Sequence, residues 1–183
     1  MMLMALSKWY DQIDSLGAED YYMVFAIDRI PKNDSGKTGL EEYLRATGKL
    51  ACRNVGTSML PMLKQGRDVF TVSAYRGGKL KKYDVVLFKR KSGEYILHRI
   101  VKTPDDGTYV LMGDNCCYKE SGIRKEDILG VMISFDHRGR TISTDSALYK
   151  FYSRIWCYFS PFRIFIRRSY LFLKRRFKGI MKR

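Results

Sequence analysis

The sequence predicts a mainly β fold: a β-rich central domain, a short N-terminal α/β segment before it and an amphipathic helix after it. Three observations carry that expectation. Short runs rich in β-branched and aromatic residues follow one another at 69–75, 83–89, 94–102, 108–112 and 128–135. Turn formers separate them, at Gly77-Gly78, Ser92-Gly93, Asp105-Asp106-Gly107 and His137-Arg138-Gly139. A repeated βα alternation and a glycine-rich phosphate loop are both missing. Hairpins at this spacing point to a barrel or a sandwich-like domain.

The elements divide the chain into 1–50, 51–145 and 146–183. In the first part, residues 21–30 read as a strand and 31–37 as a loop. Thr38-Gly39-Leu40-Glu41 is a capping-box pattern that opens a short amphipathic helix through Lys49. In the last part, Pro161 suits the first turn of a helix. At 100° per residue, Phe162, Phe165, Ile166, Ser169, Phe172, Leu173, Phe177 and Ile180 share one face. Arg163, Arg167, Lys174, Arg175, Lys178 and Lys182 share the other.

Charge is placed unevenly. The chain has 183 residues, 34 Lys and Arg against 19 Asp and Glu, and a net charge of +15. Eleven of those cations and none of the acids lie after Asp145, so the basicity belongs to the tail. An anionic partner is expected, and residues 146–183 fit an interfacial helix lying on an anionic membrane surface. The plainer alternative is a helix packed on its own core with a solvated charged face. Nucleic acid ranks third, since no recognition motif accompanies the basic helix. A signal peptide is not expected: the apolar stretch Met1 to Leu6 is short and ends at Lys8 and Asp11. A transmembrane helix is not expected either, since the charge-free run 155–162 is far below the ~20 residues a span needs. Peripheral attachment on the cytoplasmic side follows. The four cysteines, Cys52, Cys116, Cys117 and Cys157, form no C-x-x-C and have no histidine cluster, so reduced thiols are expected and neither a metal nor a cofactor.

Chemistry concentrates in two places. Residues 54–63 read Asn-Val-Gly-Thr-Ser-Met-Leu-Pro-Met-Leu, with Ser58 after a glycine turn and before a Met-Leu-Pro that ends regular structure. Leu97-His98-Arg99-Ile100-Val101 puts one of only two histidines in an apolar β run. A serine needs a base to act as a nucleophile at neutral pH, and an imidazole supplies one. Taken singly, a serine in a turn is usually a turn former and a strand histidine usually a core residue. His137, beside Asp136 in a turn, reads as a surface residue. Met59 and Met62 read as core, and Cys116 and Cys117 as buried inert thiols.

Taken in order, the blocks Gly56-Thr57-Ser58-Met59-Leu60-Pro61, Gly66-Arg67-Asp68-Val69, 83–89, 97–101 and Met112-Gly113-Asp114-Asn115 resemble the type I signal peptidase family over about residues 53–135. The resemblance implies a signal-peptidase-like β-rich catalytic domain and a serine endopeptidase that cleaves signal or leader peptides from pre-proteins. It implies Ser58, in Ser-Met-x-Pro, as nucleophile. His98 matches the base position, where many bacterial members carry lysine and the endoplasmic-reticulum type carries histidine. The hydroxyl that helps hold the oxyanion in lysine-type members falls at Gly56, where this chain has none. Aligned on Asp114, the acidic residue that orients the histidine falls at Glu120. Asp114 itself is the alternative orienter, or a structural carboxylate. Two rival functions go with the same fold: a membrane-surface protein without turnover, and a self-cleaving repressor-type relative. The second uses lysine as its base.

A further segment, residues 25–37 with Leu40-Glu41-Glu42-Tyr43-Leu44, resembles the closing segment of adenylate-forming enzymes, with Lys37 at their substrate-contacting lysine. Their large nucleotide-binding domain is missing, so a remnant or docking element is implied and not adenylation.

Overall fold

The computed structural model describes residues 39–180; the predicted strand 21–30, the loop 31–37 with Lys37, and Thr38 of the capping box lie outside them. Twelve elements follow in order. They are α1 (Leu40–Thr47), β1 (Lys49–Arg53), β2 (Val69–Ala74), β3 (Val85–Lys89), β4 (Tyr95–Lys102), β5 (Tyr109–Met112), β6 (Glu120–Ile123), a 3₁₀ turn (Lys125–Asp127), β7 (Ile128–His137), β8 (Arg140–Ser143), α2 (Ala147–Tyr158) and α3 (Ser160–Ile180). The eight strands make one antiparallel sheet in the order β1-β2-β7-β3-β4-β5-β6, with β8 also paired to β7. The five predicted strands are present, each starting or ending within two residues of the run that foretold it.

The long strand β7 organises the sheet. One edge pairs with β2 along residues 130–136, and the other pairs with β3 in its first half and β8 in its second, so ten residues join both halves of the domain. Residues on successive positions face opposite ways in a strand. β3 and β4 are nonetheless buried on both faces, with Val85, Val86, Leu87 and Phe88 of β3 and Ile96 through Ile100 of β4 all buried. A strand covered on both sides reads as a continuous apolar run, which makes the polar pair His98-Arg99 in its middle conspicuous.

Three expectations are corrected. Helix α1 starts after Gly39, which makes no side-chain cap, and ends at Thr47, two residues earlier than predicted, with Gly48 capping it in the left-handed conformation. Its Leu40 and Leu44 are in the same core as the sheet, and β1 straddles the boundary drawn at residue 50. Glu41 accepts from Lys89 Nζ at 2.7 Å and from the Tyr95 hydroxyl at 3.1 Å, tying α1 to β3 and β4. The tail is two helices and not one. Ser146, whose Oγ accepts from the Tyr149 N–H, caps α2. Among the described residues no helix is long and apolar enough to cross a membrane.

Candidate active site

Asn54, fully buried, shapes the serine loop. Its Nδ2 donates to the carbonyls of Gly56 and Leu63 across the ends of the segment, both at 3.2 Å. Gly56 takes φ 92°, a region open to glycine at little cost. The Leu60–Pro61 peptide is cis. Asp68, 1% exposed, closes the far end by accepting from the Lys64 N–H and from Arg67. His137 is not simply a surface residue: its Nδ1 lies 3.2 Å from the Asp68 carboxylate, so the end of β7 is pinned to this loop.

The serine loop meets the segment after β5. The Ser58 carbonyl accepts from the Asn115 N–H at 2.7 Å, and Asn115 Nδ2 donates to the Thr57 carbonyl at 3.2 Å. Gly113 marks the point of closest approach. A Cβ there would stand 2.7 Å from the Ser58 carbonyl oxygen, 2.7 Å from Cys116 Sγ and 2.9 Å from His98 Nε2. Only glycine fits between them, and the serine backbone and the imidazole nitrogen are neighbours across it. Ser58 Oγ is buried and makes no hydrogen bond to a described residue. Among the described residues the Ser58 N–H donates to no backbone carbonyl. An unpartnered buried hydroxyl costs about 1–3 kcal/mol and calls for an explanation.

On the other side of the ring, His98 Nδ1 is 3.1 Å from Glu120 Oε1. The carboxylate stands off the N–H axis, so the contact is close but not an in-line hydrogen bond. Arg90 grips the same carboxylate with two bonds of 2.7 Å. Burial would raise the Glu120 pKa, but His98 and Arg90 outweigh it and hold it at about 2. Glu120 is therefore an acceptor at neutral pH. It favours the tautomer with the proton on Nδ1, which leaves the Nε2 lone pair facing the Gly113 junction. Cys116 Sγ, also at that junction, lies 4.0 Å from Nε2. Burial pushes the Cys116 thiol up to about 11, so it is neutral.

Asp114 sits elsewhere. Both its oxygens accept from Arg99, at 2.8 and 2.7 Å, with Arg99 0% exposed. Arg99 also donates to the Tyr83 carbonyl, the Tyr149 hydroxyl and Ser153 Oγ. Asp114 thus fixes the loop through Arg99 and does not orient His98. Burial opposes the charge on Arg99, and Asp114 more than offsets it. Sequence reasoning missed Arg99 as the link between β4, the 113–116 loop and α2. The available signal was a charged residue inside a strand buried on both faces.

The charged face of α3, which the plainer alternative leaves solvated, is turned inward at two positions. Arg163 donates to the Asp114 carbonyl at 2.7 Å and stacks 3.7 Å over the Trp156 ring, and Trp156 Nε1 donates to the same carbonyl at 3.0 Å. Arg167, 6% exposed, donates to the Asn115 carbonyl and Oδ1. Two arginines placed on the solvated face by periodicity instead meet carbonyls of the site loop that no strand satisfies. Met59 and Met62 are core residues, and Met62 Sδ is 3.3 Å from the Arg99 guanidinium. All four cysteines are free, with Cys52 and Cys116 buried and Cys117 and Cys157 half-buried. Among the described residues no group of three His, Cys, Asp or Glu side chains is disposed to hold a metal.

Comparison of the chain with protein-family models, with characterised proteins and with solved structures gives no match.

Proposed function

We propose that this chain is a serine endopeptidase of the signal-peptidase type, cleaving signal or leader peptides from pre-proteins, with Ser58 as nucleophile, His98 as base and Glu120 orienting the imidazole. The observation that carries the reading is the junction at Gly113, where the Ser58 backbone and His98 Nε2 both lie within 3 Å of one point. An unpartnered serine hydroxyl and an imidazole with its other nitrogen against a carboxylate are the parts of a base-activated nucleophile.

In the first half-reaction, Oγ bonds to the scissile carbonyl carbon while its proton passes to Nε2. Negative charge collects on the carbonyl oxygen, and the Ser58 N–H is the donor at hand to meet it. The imidazolium then returns the proton to the leaving amine as the C–N bond breaks. Water, deprotonated by Nε2, releases the acyl group, and the proton goes back to Oγ. Glu120 stays ionised and stabilises the cationic ring. With glycine at position 56, no second hydroxyl supports the oxyanion, and slow turnover is expected. β1 pairs with β2 alone among the described strands and runs straight into the serine loop, so its free edge suits an extended peptide added as a further strand.

A second reading has its own observation. Ser58 is 3% and His98 2% exposed, so a peptide must open the site to reach them, and a fold that has lost turnover would look the same closed. Exposure of the pure protein to a serine-directed inactivator separates the two, with the modified residue mapped by mass spectrometry. Labelling of Ser58 that His98→Ala abolishes is expected of the peptidase. Labelling absent, together with unchanged cleavage of a co-expressed leader peptide in Ser58→Ala, would overturn it.

A further inference from the structure

The outer surface of α2 and α3 is apolar where a solvated helix pair is polar. Leu148, Phe151 and Ile155 on α2 and Phe162, Phe165 and Ile166 on α3 are exposed, Leu148 by 75% and Phe165 by 68%. These side chains do not turn inward, because the inner faces are occupied: Tyr149 and Ser153 bond Arg99, and Arg163 and Arg167 bond the carbonyls of Asp114 and Asn115. An apolar face of this kind on a folded domain marks an interaction surface.

The border of the face selects its occupant. Lys150 and Arg154, one turn apart, edge the apolar sector of α2. Together with Lys81 and Lys82 they line a cleft of about 510 Å³. Asp84 and Asp145 line it too. Asp84 accepts from the Lys81 backbone N–H at 2.8 Å, and Asp145 pairs with Lys150 at 3.3 Å. Lys81, Lys82 and Arg154 have no ion pair among the described residues, and the chain has no acid after Asp145. Aromatic and branched aliphatic side chains beside unpaired cations match the layering of an anionic bilayer, acyl boundary next to phosphate. A second copy fits less well, since a two-fold contact sets like rims against each other.

We infer that the outer face of α2 and α3 seats on an anionic lipid bilayer, its aromatic side chains entering the headgroup boundary and the Lys81–Lys82–Lys150–Arg154 cleft taking lipid phosphates. The seat places the site loop directly behind the membrane-facing helices, bound to them through Arg163 and Arg167.

Co-sedimentation of the full chain with vesicles tests this, and because binding needs no turnover the result is independent of the peptidase reading. Vesicles of phosphatidylcholine with about a quarter phosphatidylserine are expected to carry the protein down, and pure phosphatidylcholine vesicles far less. Phe151→Ser with Phe165→Ser should weaken binding by roughly tenfold or more. Lys81→Gln with Lys82→Gln should weaken it by roughly fivefold per cation and flatten its salt dependence. All four positions are exposed, and an unchanged circular dichroism spectrum shows that the variants fold. Equal sedimentation with both vesicle types, or none with either, overturns the inference. So does a concentration-dependent dimer abolished by the double Phe variant, or duplex DNA binding in place of vesicle binding.

Discussion

The two faces of β4 carry similar pairs at adjacent positions and use them differently. On one face Arg99 meets Asp114 with two bonds, and its remaining donors reach Tyr83, Tyr149 and Ser153. On the other face His98 meets Glu120 off-axis, and its Nε2 makes no contact with a described side chain closer than the Cys116 thiol, 4.0 Å away at the Gly113 junction. One pair is saturated and the other keeps a lone pair in reserve. A buried charge with every bond made holds structure together, while a titratable ring with one nitrogen unspent is available for proton transfer.

Substitutions on either side of the strand should break the comparison in opposite ways. His98→Ala should reduce peptide cleavage by about 10³–10⁴-fold while leaving the urea midpoint close to that of the parent, measured by cleavage assay and denaturation in parallel. Arg99→Ala should do the reverse to stability, costing about 3–5 kcal/mol because Asp114 is left as a buried unpaired charge. A denaturation midpoint that fell more for His98→Ala than for Arg99→Ala would erase the distinction. Gly113→Ala should cost about 1–3 kcal/mol and also depress activity, since the new methyl collides with the Ser58 carbonyl and His98 Nε2. An alanine variant with parental activity would show that the junction is looser than described.

Glu120 sharpens the comparison through pH. Its folded value of about 2 lies below its ordinary 4.5, so the folded state binds its proton less readily than the unfolded chain. Its stabilising contribution is complete above pH 4.5 and is lost as pH falls towards 2. Glu120→Gln should remove that part of the acid sensitivity in thermal melts and lower turnover by up to about 10⁴-fold, since an amide in its place can hold the wrong imidazole tautomer. Smallest is the thiol effect. Cys116, pushed up to about 11 by burial, should alkylate more slowly at neutral pH than half-buried Cys117, as read by mass spectrometry of a timed quench.

The strands were legible because β-branched runs and glycine turns are local signals. β6 escaped notice because Glu120-Ser121-Gly122-Ile123 has no alternation, and Gly122 takes φ 75°. Glu120 was therefore found only by its offset from the Gly-Asp-Asn segment, not as a strand residue facing His98. Ser58 and His98 were legible through their flanking motifs, but their meeting depends on Gly113, whose role is set by contacts 55 and 15 residues away in sequence. Asp114 was ambiguous because its partner Arg99 lies on another strand. In the described part of the tail, periodicity separated Phe162, Phe165 and Ile166 from Arg163 and Arg167. It carried no information on which face turns to the body, and unsatisfied loop carbonyls drew the arginines inward.

That inward turn has a practical consequence. Arg163, Arg167 and Arg168 reach the carbonyls of Asp114, Asn115 and Cys117, so one helix caps three of the four peptide carbonyls from 114 to 117, behind the serine. Severing the chain near Phe159, between the two helices, would take the arginine donors from all three oxygens and leave only Trp156 Nε1 on the Asp114 carbonyl, while every strand stayed paired. Limited digestion at that joint would then act as an off switch, silencing the centre from its rear without touching a reacting group.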